Sequence, residues 1–200
     1  LRTLPLSVSG IIMGSGLAAA LGKWDGLIFS LAMLTTIGFQ VVSNFANDLG
    51  DSQKGTDNEN RVGPKRTIQA GLISQKEMKR GIFLTSFLSA SAAISLIAIS
   101  AKNLTSQSMF VYLVLAGLCI LAAITYTVGK NAYGYRGLGD LMVFIFFGLV
   151  SVLGVFQLYG LGFEWLVLFP AITIGLWSTA VLNLNNLRDI ENDRKSAKTN

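Results

Sequence analysis

Two short acidic motifs lie far apart in the chain, NDLGD at Asn47 to Asp51 and NNLRD at Asn185 to Asp189. In each motif an aspartate follows an asparagine by four positions, and further amide and acidic residues lie three or four positions away, a spacing that lines one face of a helix. Each set is expected to gather several carboxylate and amide oxygens in a small volume. The aligned residues are Asn44, Asn47, Asp48 and Asp51 in the first set, and Asn185, Asn186, Asp189 and Asp193 in the second.

Oxygen donors of this kind indicate a binding site for a hard cation. A carboxylate near a helix C-terminus is disfavoured by the helix dipole by about 0.3–1 kcal/mol, so a bound cation is expected to compensate its charge. Mg²⁺ suits these residues, because it takes one or two carboxylates and keeps positions for water and substrate phosphates. The alternative is that the motifs only cap helices and solvate a loop, and the recurrence of the motif favours the metal site.

Basic residues surround both motifs in the sequence. Arginine binds a phosphate through two hydrogen bonds and lysine acts as a point charge, so both types beside a metal ion indicate a diphosphate site. Each basic residue on its own could instead be a solvated loop charge. The basic residues that could border the site are Lys54, Arg61, Lys65, Arg66, Lys130, Arg194, Lys195 and Lys198.

The composition excludes several classes of protein and of site. Hydrophobic residues make up 52% of the chain and charged residues 14%, against about 25% charged in an average soluble domain, so an integral membrane protein is predicted. The chain has no histidine, which excludes imidazole catalysis and most zinc or iron sites. Its single cysteine, Cys119, has no disulfide partner.

Six apolar stretches are long enough to cross a membrane, which takes about 20 residues each. They lie near residues 4–22, 27–46, 81–101, 108–128, 138–160 and 163–187, so the predicted fold class is all-α, a polytopic membrane helix bundle with six transmembrane helices. Short links such as KWDG at Lys23 to Gly26 make consecutive helices antiparallel neighbours. The one long polar segment, Asp48 to Arg80, is predicted to be a loop that also closes over the site as a lid.

The basic residues also predict the orientation of the helices. Of the 16 Lys and Arg residues, only Lys23 and Lys102 fall on one side of the predicted membrane, and the others fall on the side that holds both motifs. Because positive charge is retained in the cytoplasm, the site is predicted to face the cytoplasm from the inner membrane of the cell. This asymmetry accounts for the net charge of +5, and no nucleic acid is expected as a partner.

The two motifs also mark an internal repeat. Because they end matching helices, helices 1 to 4 are interpreted as one repeat and helices 5 and 6 as the start of a second. Repeats of this kind tend to place working sites where they face each other, so the motifs are expected to meet across a central cavity. A transporter could use the same plan, but its acidic residues would lie near mid-depth. A purely structural subunit would leave the repeated motif unexplained.

Longer segments around these motifs resemble the UbiA superfamily of intramembrane prenyltransferases over essentially the whole chain. Within that superfamily, two segments are most similar to those of the branch that acts on 1,4-dihydroxy-2-naphthoate in menaquinone synthesis. In the first segment the next acidic residue after Asp51 is Asp57, and the second segment ends in GLGD at Asp140. The segments that carry the resemblance are RTLPLSVSG at Arg2 to Gly10, NDLGDSQKGTDN at Asn47 to Asn58, RVGPKRTIQAGLIS at Arg61 to Ser74, YTVGK at Tyr126 to Lys130, YGYRGLGD at Tyr133 to Asp140 and NNLRDIENDRKSAKTN at Asn185 to Asn200.

The resemblance implies a fold and a reaction. It implies one prenyltransferase domain over residues 1–200, expected to be truncated after the second motif because the family fold has about eight or nine helices. The implied reaction moves a polyprenyl group from polyprenyl diphosphate to 1,4-dihydroxy-2-naphthoate with loss of the ring carboxylate. Hydroxybenzoate and homogentisate are the alternative acceptors. The prenyl tail is expected to lie in membrane lipid.

The resemblance also implies roles for individual residues. Tyr126 and Lys130 would contact the diphosphate and stabilise the allylic cation, and Asp48 would support the metal ligands. The implied ligands of Mg²⁺ are Asn47, Asp51, Asp189 and Asp193. The remaining residues expected to bind the metal and diphosphate are Asn44, Lys54, Arg61, Arg66, Asn185 and Lys198.

Overall fold

Six long helices run through the described part of the chain, which confirms the predicted all-α fold class. The computed structural model describes residues 3–55 and 66–195, with the backbone alone for residues 191–195. The helices are α1 (Leu4–Ala20), α2 (Gly26–Lys54), α3 (Gln75–Ser100), α4 (Ser106–Thr125), α5 (Gly139–Leu158) and α6 (Trp165–Lys195).

Five of these helices, α2 to α6, are long and apolar enough to cross a membrane. The sixth, α1, has 17 residues, which is the lower end of the length that spans a bilayer. Many of their large apolar side chains are exposed on the outside of the bundle, including Phe83 and Leu166 at 76% and 79% of full exposure. Because such surfaces are stable only in lipid, the chain is a polytopic integral membrane protein.

The helices that carry the acidic motifs are longer than the membrane is thick. α2 has 29 residues and α6 has 31, about 43 and 46 Å at 1.5 Å per residue, against about 30 Å of hydrocarbon. Both motifs therefore lie inside helices, and the predicted helix ends near residues 46 and 187 were wrong. Hydropathy marks where lipid ends, whereas α2 ends only at Gly55, whose φ of 70° closes the last turn and whose N–H bonds to Asp51 O.

The predicted loop from Asp48 to Arg80 was also too long. α2 continues to Lys54, and α3 begins at Gln75, six residues earlier than predicted, because Ser74 and Glu77 form a capping box. Turns occupy residues 67–73, and residues 56–65 lie outside the described ranges. The lid hypothesis therefore stays a prediction.

Glycines let the helices approach closely, as in other membrane bundles. Gly10 and Gly14 of α1 lie against the backbone and side chains of α5. At Gly148 of α5, an added Cβ would lie 2.6 Å from Ala171 O and 2.6 Å from Gly175 Cα of α6. Gly148 belongs to a π-helical stretch, Phe144–Val150, that interrupts the α-helical geometry of α5.

Short links tie the helices together at the end of the bundle opposite the motifs. Asp25 caps α2 by accepting from the N–H groups of Leu27 and Ile28, and it also pairs with Lys102 at 3.1 Å. These hydrogen bonds, led by that from Lys102, hold the pKa of Asp25 below its usual value. α1 packs against α2, and α3 against α4, which confirms the predicted antiparallel neighbours.

Candidate active site at the ends of α2 and α6

Asp51, in the last turn of α2, is held by two side chains from other segments. Its Oδ1 accepts a hydrogen bond of 2.6 Å from the Tyr135 hydroxyl, and its Oδ2 pairs with Arg66 Nη2 at 2.8 Å. The Lys54 ammonium lies over the Tyr135 ring, 3.7 Å from its centroid. The Asp51 carboxylate is buried, so the guanidinium supplies the positive charge that its burial requires.

Asp48, one turn earlier on α2, is only partly satisfied. Its Oδ2 accepts from the backbone N–H of Thr67 at 3.2 Å, which ties the link between α2 and α3 to the helix. Its Oδ1 is buried and has no hydrogen-bond partner in the described part of the chain. The amide nitrogen of Asn44, four positions earlier on the same face, is likewise buried and without a partner there. Within the described ranges, the Asp48 Oδ1 and the Asn44 amide nitrogen thus lack the partners that burial normally demands.

The end of α4 lies directly against the first motif. The Thr127 hydroxyl lies 2.9 Å from Ala46 O and 3.1 Å from Asn47 Oδ1 and can donate to either. This approach depends on Gly50, where an added Cβ would lie 2.6 Å from Thr127 O. Asn47 is thereby fixed in position by a residue of the YTVGK segment.

A cavity of about 290 Å³ lies between the helices, beneath the motifs. Asn44 and Asn47 of the first motif and Asn185 of the second line it, so residues of both predicted repeats face one space. Most of its other lining residues are apolar. Thr35 and Ser178 are exceptions, since their buried hydroxyls line the cavity without a hydrogen-bond partner in the described ranges. Thr35 is 12 positions before Asn47 on α2, about 18 Å deeper along the helix.

Two tyrosines stand between this cavity and the aqueous end of the bundle. Tyr126 and Tyr133 both line the cavity, and their rings meet edge to face with centroids 5.3 Å apart. The Tyr133 hydroxyl donates to Ala122 O at 2.8 Å, and burial raises the pKa of Tyr133, so the phenol stays neutral near neutral pH. Lys130 is exposed and makes no hydrogen bond or ion pair with any described residue.

In the second motif, the negative charge of Asp189 is paired with the neighbouring arginine. Arg188 binds the carboxylate of its neighbour Asp189 through two hydrogen bonds of 2.8 Å, to Oδ1 and to Oδ2. Asn183, two positions before Asn185, donates to Asp140 Oδ2 at 3.1 Å and so links α6 to the start of α5. Asp51 and Asp189, the last aspartates of the two motifs, are therefore each paired with an arginine.

The donor atoms at this site fit a hard cation. Carboxylate and amide oxygens are the ligands that Mg²⁺ prefers, and the orphaned Oδ1 of Asp48 is a buried anion acceptor that a cation would satisfy. Among the residues with described side chains, no three acidic, histidine or cysteine residues stand close enough to hold a metal. Asp51 and Asp189 are each bound by a guanidinium, which indicates that both carboxylates need a positive partner.

Several predicted site residues lie outside the residues with described side chains: Arg61, Lys65, Asp193, Arg194, Lys195 and Lys198. Sequence reasoning missed Tyr135 and Thr127 as partners of the first motif and Arg188 as the partner of Asp189. Arg188 could have been found, because it adjoins Asp189 within the motif itself. Tyr135 and Thr127 reach the motif only through the packing of α4 and its following link.

Comparison with known proteins assigns the chain to a family. The family model for the UbiA prenyltransferase family matches residues 7–199. The chain is 49% identical to a 1,4-dihydroxy-2-naphthoate octaprenyltransferase of Haemophilus influenzae over 98% of its length and 64% of that protein. It is 46% identical to the Escherichia coli protein of the same name over 98% of its length and 63% of that protein. A Mycobacterium tuberculosis protein of that name is 36% identical over 98% of the chain and 64% of its own length.

The chain thus spans a little under two thirds of the length of these curated relatives. No solved structure matches it. The match over residues 7–199 includes both acidic motifs, the cavity between them and the Tyr126 to Lys130 segment. The chain belongs to the UbiA prenyltransferase family.

Proposed function

We propose that this chain forms the donor-binding part of an enzyme that transfers a polyprenyl group from polyprenyl diphosphate to 1,4-dihydroxy-2-naphthoate. The reaction would lose the ring carboxylate and serve menaquinone synthesis. Support comes from three relatives at 36–49% identity, each named as an octaprenyltransferase for this naphthoate. The activity in that name is proposed here for a chain that covers about two thirds of the length of these relatives.

One observation carries the proposal on the structural side: a mostly apolar cavity whose wall includes asparagines of both acidic motifs. A polyprenyl diphosphate has an apolar tail and a highly charged head, so it requires these two environments side by side. The cavity supplies the first, and the charged ends of α2 and α6 supply the second.

The motif residues would bind the diphosphate together with Mg²⁺. Asn47, Asp51, Asp189 and Asp193 would hold the ion, which neutralises charge on the leaving diphosphate. Arg66 already pairs with Asp51, and Lys54 lies over the ring of Tyr135, whose hydroxyl binds Asp51; both basic side chains would contact diphosphate oxygens directly. Arg61 and Lys198 would add further positive charge from segments outside the described ranges.

The chemistry would proceed at the mouth of the cavity. The bond between the allylic carbon and the diphosphate oxygen breaks, and its electron pair leaves with the diphosphate. Tyr126 and Tyr133 present their rings to the resulting allylic cation and exclude water from it. A ring carbon of the acceptor then forms the new carbon–carbon bond, and loss of CO₂ returns an electron pair to the ring.

Polar groups in the cavity would orient the acceptor. The Asn44 amide nitrogen has no hydrogen-bond partner among the described residues, lies near the motifs and suits an oxygen of the naphthoate ring. We place this site at the cytoplasmic face of the inner membrane. The charge distribution supports that placement, because Lys54, Arg66, Lys130 and Arg136 lie at the motif end and Lys23 and Lys102 at the other.

The test is a transfer assay with the complete protein in phospholipid vesicles. Octaprenyl diphosphate is offered with the naphthoate labelled in its carboxylate, with 4-hydroxybenzoate, or with homogentisate. We expect labelled CO₂ and diphosphate to be released in equal amounts with the naphthoate, in the presence of Mg²⁺ and not with excess chelator.

Three other outcomes would contradict parts of the proposal. Faster turnover of hydroxybenzoate or homogentisate would assign a different acceptor. Full activity with chelator would remove the metal. Absence of diphosphate release with every acceptor, together with ion flux across the vesicle membrane, would indicate a transporter.

A further inference from the structure

Tyr135 contacts both charged residues of the last turn of α2. Its hydroxyl donates to Asp51 Oδ1, and its ring lies beneath the Lys54 ammonium. Asp51 and Lys54 are three positions apart, so they project from the same side of the helix. One side chain from the link between α4 and α5 therefore holds this turn at two points.

The backbone fixes the position of Tyr135. It ends a short helical turn, Tyr133–Tyr135, in which the Gly134 N–H donates to Tyr126 O at 2.9 Å. No side chain fits at Gly134, because a Cβ there would lie 2.7 Å from Tyr126 O. The turn is thus anchored against the end of α4, and Tyr135 approaches Asp51 from a rigid base.

The two oxygens of Asp51 have different partners. Tyr135 occupies Oδ1 with a neutral donor, and Arg66 occupies Oδ2 with a cation. A hydrogen bond to one oxygen of a carboxylate limits its rotation and so directs the other oxygen. Partners of this kind behind a metal ligand commonly contribute 10–100-fold to metal affinity or activity.

We propose that Tyr135 is a positioning residue for Asp51. It holds Oδ1 so that Oδ2 faces a cation, which is the Arg66 guanidinium in this structure and a divalent ion with diphosphate during turnover. The identity of the second cation rests on the proposed function. The proposal adds a role for a residue in the link between α4 and α5, which contributes to the site from outside both acidic motifs.

Tyr135→Phe tests this role, because it removes the hydroxyl and keeps the ring beneath Lys54. The matched control is Tyr159→Phe, which removes a phenol hydroxyl that donates to Ser15 Oγ at 3.0 Å, in the half of the bundle away from the motifs. The complete protein is titrated with Mn²⁺ in the presence of inorganic diphosphate, and bound Mn²⁺ is followed by electron paramagnetic resonance. Thermal unfolding without metal is measured in parallel.

We expect Tyr135→Phe to weaken Mn²⁺ binding about tenfold and to raise the half-saturating Mg²⁺ concentration in the transfer assay by a similar factor. The KM for the acceptor should not change, and Tyr159→Phe should bind Mn²⁺ as the wild type does. Tyr135→His, which keeps an N–H donor on an aromatic ring, should recover part of the affinity.

Different results overturn different statements. Unchanged Mn²⁺ affinity in Tyr135→Phe, with normal binding by the wild type, removes the positioning role and leaves the proposed function intact. An equal loss in Tyr159→Phe shows a general effect on the fold and also removes the role. If Tyr135→Phe does not fold, Tyr135→Leu, which also lacks the hydroxyl, takes its place: Mn²⁺ binding about tenfold weaker than in the wild type retains the role, and wild-type binding removes it. A wild-type protein that binds no Mn²⁺ overturns both proposals.

Discussion

At the scale of single residues, the two acidic motifs are alike in sequence and different in their partners. Asp51 pairs with Arg66, which lies in the link between α2 and α3, whereas Asp189 pairs with the adjacent Arg188. The first pairing joins two segments of the chain, and the second joins neighbours on one helix. The pairing of Asp51 therefore depends on how the link between α2 and α3 packs against α2.

Replacing Asp51 by Ala should abolish turnover and leave the helices inserted. The change leaves the Tyr135 hydroxyl and the Arg66 guanidinium without their acceptor, and we expect turnover to fall at least about 100-fold. Asp51→Asn keeps an acceptor oxygen for Tyr135 but loses the negative charge. We expect it chiefly to weaken Mg²⁺ binding, so that turnover requires a higher Mg²⁺ concentration. Transfer assays and circular dichroism of the purified variants measure both effects.

The control for this pair is Asp25→Ala at the other end of the bundle. That carboxylate caps α2 and pairs with Lys102, far from the proposed chemistry, so its loss should leave turnover near the wild-type value. Wild-type turnover in Asp51→Ala would refute the assignment of Asp51 to the metal.

The partners of the motif residues, such as Tyr135 at Asp51, could not be predicted from the sequence. The motif residues themselves were recognisable, because helical spacing depends only on positions along the chain. The contact of Tyr135 with Asp51 spans 84 positions and depends on how the link after α4 folds back onto α2. An aromatic residue in a polar link gives no local signal of such a role.

At the scale of helices, hydropathy predicted which segments cross the membrane and missed where the helices end. It reports the polarity of the surroundings, whereas a helix continues until its backbone is capped. The Ser74 and Glu77 capping box and the left-handed Gly55 are the local signals that set the true bounds. The capping box and the glycine can both be recognised in the sequence, provided that a charged residue is not assumed to end a helix.

Close packing of α5 on α6 predicts a sensitive position at Gly148. Gly148→Ala introduces a Cβ 2.6 Å from the α6 backbone, and overpacking of this kind costs about 1–3 kcal/mol. The matched control is Gly117→Ala in α4, where an added Cβ meets no atom within 4 Å and should leave stability unchanged or slightly raise it. Thermal unfolding in one detergent compares the two variants.

If both variants unfold at the same temperature, the tight crossing of α5 and α6 is not a constraint on the fold. A stabilised Gly148→Ala protein would contradict the packing directly.

At the scale of the whole molecule, the link regions divide the charge of the protein between two faces. Asp25, Lys102 and their neighbours tie one end, and the arginine-paired motifs occupy the other. The prediction of orientation from basic residues rests on this division. The partition of charge was readable from the sequence because it depends only on the order of spans and links.

Thiol labelling tests the orientation. In a Cys119→Ala background, Arg136→Cys should react with a membrane-impermeant maleimide only after the cytoplasmic face is exposed, and Lys23→Cys should react in intact cells whose outer membrane is permeable to the reagent. Both residues are exposed, so accessibility depends on the side of the membrane alone. The reverse pattern would place the site outside the cytoplasm.

The π-helical stretch Phe144–Val150 allows the length of α5 to differ by one residue. A π turn takes up an additional residue within nearly the same rotation, so the helix faces before and after it stay in register. Met142 on one side and Val155 on the other both line the cavity, and both would still do so after one residue is deleted from the stretch and α-helical geometry is restored. A deletion elsewhere in α5 would instead turn the rest of the helix by about 100° and take part of the cavity wall with it. Natural variation in the length of this helix should therefore be found within the stretch.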